Sequence, residues 1–276
     1  MSLKNTQFSF KANPLPYDMG NAGDLIKHGI LGEYTNWWIQ HFGKMTYIDP
    51  FAGRLWQEPI NSEVSRRLVS LEETVLFSAQ PDYLERYYGS VFIVKNIIDK
   101  NHDRGQIFVS DRNSLALQDF ISTGLDGIAS IGFNPEDAYS ILNSDADPKT
   151  SLILLDPFDD FAQQADKHFK NITRFIYNQH IPILLFILTN NNTEAFINDC
   201  KQQYLKDDFV QISITCPAIS NSSVKGESRF KSETLLLLPQ NKFHEHISRL
   251  KEQIINLYYQ LETALETRLT FKIINE

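Results

Sequence analysis

The sequence is poor in features that mark several large protein classes. Only two of its 276 residues are cysteine, Cys200 and Cys216, and no Cys-x-x-Cys pair occurs. That excludes a disulfide framework and a cysteine-based zinc site, and a reducing compartment is expected. The longest apolar run, "IPILLFIL", is far too short to cross a bilayer. The opening "MSLKNTQFSFKANP" has no apolar signal core, so a soluble cytoplasmic chain without a membrane partner is expected. Positive charge is scarce: 26 Lys and Arg stand against 34 Asp and Glu, a formal net charge of -8. This balance argues against phosphate-driven binding along nucleic acid. GxGxxG and GxxxxGK[ST] are both absent, which counts against a dinucleotide enzyme and removes a P-loop reading. The histidines lack HExxH spacing, so no metal site is expected, and there is no Ser-His-Asp order or nucleophile elbow.

What is present is an alternation of helical patterns with short apolar strands. Leu25, Ile30, Leu31, Tyr34, Trp38 and Phe42 predict a helix from about residue 24 to 42, ended by Gly43. Within it Trp37 and Trp38 are adjacent and face different ways, so one of them is expected in the core. "MTYID", "GQIFVS", "GIASIGF", "SLILL" and "IPILLFILT" read as strands, with further helices after Asp111 and near 165–178. Continuously apolar strands separated by helices belong to a parallel sheet covered on both faces. "FVQISIT" and "ETLLLLP" are joined without room for a crossover helix, so they predict an antiparallel pair at one edge. Residues of about 56–88 read as a helical insertion. A last helix, at about 244–269, carries the apolar face Leu250, Ile254, Leu257, Tyr258, Leu261 and Leu265. That face covers the sheet or, as the second reading, pairs two copies of a chain expected as monomer or homodimer. The whole reads as one α/β domain over 1–276, with a mostly parallel, doubly wound sheet.

In such sheets ligands sit outside the carboxyl ends of the strands, where strand order reverses. The residues there are "DPFAGR" after the first strand, Asp111 after "QIFVS", and Asp156-Pro157-Phe158 after "SLILL". Gly53 allows close approach of a ligand to the backbone, or simply makes a turn. Asp111 can accept both ribose hydroxyls of an adenosine, or cap the next helix. A carboxylate beside a stiff backbone and a flat ring suits holding an amine, and the alternative is an exposed strand end. Lys225, Arg229 and Lys231, with Arg66 and Arg67, either grip a phosphate or are ordinary solvated charges.

Three segments, "GNAGDLIKH", "YIDPFAGR" and "LILLDPF", together resemble class I S-adenosylmethionine-dependent methyltransferases. More narrowly they resemble the large-subunit rRNA adenine-N6 methyltransferase J family and the three-Cys-motif partner family. "YYGS" before Asp111 and "FKSETLLLLP" extend the resemblance over most of the chain. The resemblance implies a Rossmann-like fold and S-adenosylmethionine as cofactor. It implies cofactor contacts at His28, Asp49, Phe51, Gly53, Ser90, Asp111, Asn134 and Pro135. It places Lys27, otherwise read with His28 as a solvated helix face, near the reacting groups, and gives Asp156 the role of catalytic acid, with Pro157 and Phe158 beside it. It also turns "SVFIVKNIID", whose β-branched residues suit a strand, into the helix after Gly89-Ser90.

The departures bear on the substrate. The J family carries a histidine where this chain has Phe51, and Asp-Pro-Pro-Tyr where this chain has Asp156-Pro157-Phe158-Asp159. A carboxylate where a flipped base would stack disfavours a nucleic-acid acceptor. The expectation is methyl transfer to a nitrogen, on RNA or a small amine, with Phe158 or Phe161 as a wall. The rival is a catalytically altered module that binds cofactor or a protein partner.

Overall fold

The computed structural model describes residues 17–101, 105–111, 114–123, 128–132, 150–156, 180–189, 209–227, 231–239 and 246–274. The first element is helix α1, Ala22–Phe42, and it is the centre of the molecule. Asn21 starts it by accepting the Asp24 amide, and Gly43, at φ 70°, ends it with its own N–H on the Ile39 carbonyl. Most of its residues are buried all the way round, including Asp24, Lys27 and His28. A helix without a polar face is a core helix. Trp37 and Trp38 are 0% and 1% exposed, so both belong to the core where only one was expected.

Strand β1 follows at Thr46–Asp49. Residues 56–88 differ from the expected helical stretch at both ends. Strands β2, Trp56–Gln57, and β3, Tyr87–Tyr88, pair as a separate two-stranded sheet, and helices α2, Ser62–Val69, and α3, Val75–Ser78, lie between them. Residues 90–100 form helix α4, Ser90–Lys100, despite their β-branched side chains. Strand β4, Gln106–Ser110, helix α5, Ser114–Thr123, and strand β5, Ile128–Gly132, come next. They are followed by β6, Ser151–Leu155, β7, Ile183–Thr189, β8, Phe209–Cys216, and β9, Lys231–Pro239. The expected helix near 165–178 lies outside the described residues.

With a last strand, β10, at Thr270–Ile274, the main sheet has eight strands in the order β10-β8-β9-β7-β6-β1-β4-β5. Counted along the parallel strands β1, β4, β5, β6 and β7, this is the doubly wound order 3-2-1-4-5. The chain winds outward from β1 through β4 and β5, then returns to β6 on the other side of β1. The reversal therefore lies between β1 and β6. Strands β1 and β6 are buried at every position, as their unbroken apolar runs require in a sheet covered on both faces.

The pair β8 and β9 is antiparallel, with β9 also antiparallel to β7. It is not the edge of the sheet. Helix α6, Ile247–Leu265, is followed by strand β10, Thr270–Ile274, which pairs antiparallel with β8 and lies outermost. The expected final helix is thus shorter and does not end the described chain. Its apolar face packs chiefly on α1, where Leu257 closes over Gly29. A side chain at Gly29 would meet Leu257 at 3.1 Å, so the two helices need this glycine to approach closely.

Candidate functional site

Three chain segments bring charge to the switch point. The first two turns of α1 supply Asp24, Lys27 and His28, the end of β1 supplies Asp49, and the residue after β6 is Asp156. Asn21 and Asp24 are the N-cap and third residue of α1 and fix one another. The Asn21 side chain takes the Asp24 amide at 3.2 Å, and one Asp24 oxygen accepts from Gly20 N–H and Asn21 Nδ2, each at 3.0 Å. The other Asp24 oxygen accepts from Lys27 Nζ at 2.9 Å. Lys27 Nζ also bonds Asp156 Oδ2 and lies 4.9 Å from the centre of the Phe186 ring.

This triad is two carboxylates about one ammonium, nearly removed from water. The side chains of Lys27, Asp24 and Asp156 keep 6%, 11% and 18% of their surface. Burial alone would strip the proton from Lys27, but Asp156 and Asp24 outweigh it and raise its pKa above the ordinary lysine value. Asp24 is also disfavoured by burial, yet Lys27 and the Gly20 amide hold its carboxyl below the usual range. Burial pushes Asp156 up, and Lys27 only partly offsets it.

Asp49 is fully buried and accepts from Tyr47 Oη at 2.8 Å, Ser90 Oγ at 2.7 Å and the Phe51 amide at 3.2 Å. Burial raises its pKa to about 6, against the pull of those donors and with help from Asp156. Ser90 is likewise buried, its hydroxyl on Asp49, while Phe51 is half-buried in the turn that follows β1. His28 Nδ1 lies 2.8 Å from Tyr87 Oη, and burial, then Lys27, push its pKa down to about 3, so the imidazole is neutral. These groups brace the cluster from behind.

The turn after β1 carries the open part. Gly53 has φ 63°, a left-handed conformation that favours glycine, and nothing lies within 4 Å of where a Cβ would be. Its amide donates to Asp111 Oδ2 at 2.7 Å, which ties the ends of β1 and β4 together. Arg54 grips Asp119 of α5 with two nitrogens and pins the turn from the far side. A half-buried carboxylate at a strand end beside a glycine can accept hydrogen bonds from a ligand's hydroxyls. Among the described residues no group of three or more His, Cys, Asp or Glu is placed to hold a metal ion. Nor does any helix among them have the length and apolarity to cross a membrane.

Of the residues singled out in the sequence, Lys27 and Asp156 meet directly, and Asp49, Phe51 and Ser90 form a second linked group. Gly53 with Asp111 forms a third. Asn134, Pro135, Pro157 and Phe158 lie outside the described residues, as do Phe161, Asp159 and Arg229. The basic pair Arg66 and Arg67 is engaged elsewhere: Arg67 is buried on Glu227 and Glu63, and Arg66 pairs with Glu63 and Glu266. Neither the phosphate grip nor the solvated charge describes Arg67.

Sequence reasoning missed Asp24, Tyr17 and Phe186. The Asn-x-x-Asp spacing of a capping box, with Lys three residues further, is a signal for Asp24. Tyr17 precedes the cap, and its phenol pKa is raised by burial and by Asp24 and Asp156. Tyr17 and Phe186 carry no local pattern that separates them from core aromatics.

Fold and site together define a mixed α/β protein with a mostly parallel sheet and an acidic, lysine-bridged cluster at its switch point. The Legionella pneumophila protein LPL1258, described as DUF519, is similar in structure at 16% identity with a TM-score of 0.66. The match covers 92% of this chain and 97% of that one, so the two share a fold. A candidate methyltransferase from Thermoplasma acidophilum matches at 8% identity and a TM-score of 0.34, over 71% of this chain and 68% of that one, too distant to carry an argument. No protein-family model and no curated protein matches the sequence.

Proposed function

We propose that this chain is an S-adenosylmethionine-dependent methyltransferase of the class I, Rossmann-like type, acting on a nitrogen acceptor. The observation that carries the reading is positional. Gly53 and Asp111, which fit a nucleoside, and Lys27 with Asp156, which fit an amine, sit at neighbouring strand ends of one sheet edge. Residues 20–28, 47–54 and 152–158, which carry the family resemblance, all lead to that edge. S-adenosylmethionine, when bound, supplies a methyl group on a sulfonium that leaves as a neutral thioether.

The protein's part is to bind and orient. Asp111 holds the ribose, Gly53 lets the ligand lie against the backbone, Asp49, Ser90 and Phe51 keep that turn in place, and His28, paired with Tyr87, is assigned to the cofactor on the resemblance alone. Asn134 and Pro135 are assigned to the adenine ring on the resemblance alone. Asp156 accepts a hydrogen bond from the acceptor N–H and turns the nitrogen lone pair toward the methyl, and Phe158 or Phe161 is assigned as a wall from the sequence alone. In-line positioning of this kind lowers the barrier without a covalent intermediate. A net charge of -8 and Asp159 beside the wall favour a small amine over RNA.

A second reading, a binding module for a protein partner, is favoured by one observation: Asp156 is already occupied by Lys27. Calorimetric titration with S-adenosylmethionine and S-adenosylhomocysteine tests the first reading. Micromolar binding that Asp111→Ala abolishes supports it, and no binding by the folded chain refutes it. Asp156→Ala then separates the two, since an enzyme loses turnover while keeping cofactor, and a module keeps its partner.

A further inference from the structure

We propose that Asp24 is a positioning residue for Asp156: it takes up the Lys27 charge from behind, so that Asp156 can receive a proton from the acceptor. This rests on the methyl-transfer reading of Asp156. The geometry is asymmetric. Asp24 has both oxygens committed, one to Lys27 Nζ at 2.9 Å and the other to Gly20 N–H and Asn21 Nδ2 at 3.0 Å. It also lies in the first turn of α1, where the aligned peptide dipoles favour an anion. Asp156 has Lys27 on Oδ2, stands at a strand end rather than a helix start, and has the more exposed side chain of the two.

One ammonium cannot neutralise two buried carboxylates equally when one of them has three further supports: two donors and a helix start. Lys27 makes its closer contact with Asp156, but its charge is shared with Asp24, the carboxylate that has the other supports. Asp156 keeps only a share of that ammonium, and it faces Asp24 and Lys27 from α1, Asp49 and Tyr47 from β1, Asp111 from the end of β4, and Tyr17 ahead of α1. All but Lys27 are anionic or neutral, and the carboxylates among them raise its affinity for a proton. A nitrogen that has accepted a methyl group carries one proton too many. Asp156 takes that proton and becomes a neutral acid, and Lys27 stays charged because Asp24 holds it. Without Asp24, Lys27 would pair wholly with Asp156 and lower its affinity for a proton.

The test is a carbon-13 titration of the full chain labelled at the aspartate carboxyl carbon, with Asp156 assigned by Asp156→Asn. As pH falls, Asp156 is expected to take a proton before Asp24 does. In Asp24→Asn its midpoint should move down by about 1 pH unit or more, and Asp24→Glu, which keeps the charge, should restore it. A purely structural role for Asp24 leaves the Asp156 midpoint where it was. An unmoved or raised midpoint in Asp24→Asn overturns the proposal, as does a Glu variant that titrates like the Asn variant. If Asp24→Asn does not fold, the order in the unsubstituted chain decides alone: Asp24 protonating first overturns the proposal. Titrating the same samples with S-adenosylhomocysteine reads the methyl-transfer assignment separately. The order of protonation can stand while cofactor binding fails, and the reverse.

Discussion

Replacing Lys27 by methionine is the sharpest probe of the triad. The substitution keeps most of the unbranched apolar stem and removes the only cation between Asp24 and Asp156. Breaking a buried ion pair from one side costs about 3–5 kcal/mol, because the partner charge is left uncompensated. Loss of the contact with the Phe186 ring, 4.9 Å away, adds about 0.5–2 kcal/mol, partly offset by the apolar methionine. A net loss of about 3–5 kcal/mol at pH 7 follows, a large share of the roughly 5–15 kcal/mol that holds a natural domain together.

The pH dependence fixes the cause. In the variant both carboxylates are raised by burial and by each other, while in the unfolded chain they return to about 3.9. Between that value and the raised ones the folded variant binds more protons than the unfolded chain, so its stability rises as pH falls. The deficit against the unsubstituted chain is therefore largest at pH 7 and smaller at pH 5. Urea unfolding followed by tryptophan fluorescence measures it, since Trp37 and Trp38 are buried on the same helix. A loss below about 1 kcal/mol at both pH values, the size of an exposed pair, would refute the reasoning. So would a deficit that grows as pH falls.

Three further outcomes follow from the same contacts. Gly53→Ala meets no atom within 4 Å, so it should cost only about 1–2 kcal/mol of backbone strain, yet weaken S-adenosylhomocysteine binding at least tenfold by calorimetry. Asp49, raised to about 6, weakens the fold progressively as pH rises from about 4 to 6, and the penalty stays constant above that range. Asp49→Asn should therefore reduce the stability difference between pH 4 and pH 7 by about 2 kcal/mol, measured by urea unfolding. Glu227→Gln leaves Arg67, 3% exposed, with only Glu63, and loosens the contact that holds the Ala22 amide at 2.5 Å. It should lower the melting temperature by about 10 °C, whereas Glu63→Gln, a more exposed partner, should lower it by only a few degrees.

The sequence made the central strands legible for a physical reason. Strands β6 and β7 are largely buried between layers, so they appear as mostly apolar runs, and β1 and β6 lead into Asp49 and Asp156. Strand β10 escaped notice because its "TFKII" alternates exposed and half-buried positions and leans on a single neighbour. The burial of both Trp37 and Trp38 was missed because adjacent residues on a helix face apart, but α1 is buried around most of its length. The Lys27–Asp156 contact joins residues 129 apart in the chain, so no local pattern states it. Asp24 was passed over because an acid in the first turn of a helix ordinarily serves the helix alone.

Helix α1 holds the two tryptophans of the core at one end and Asp24, Lys27 and His28 at the other. Its middle amides cannot meet solvent unless the surrounding layers part, so they should exchange with deuterium as slowly as the most protected strands. The charged cluster is thus as rigid as the protein itself. Any fitting to a ligand would fall to pieces outside this helix, around a fixed pattern of charge.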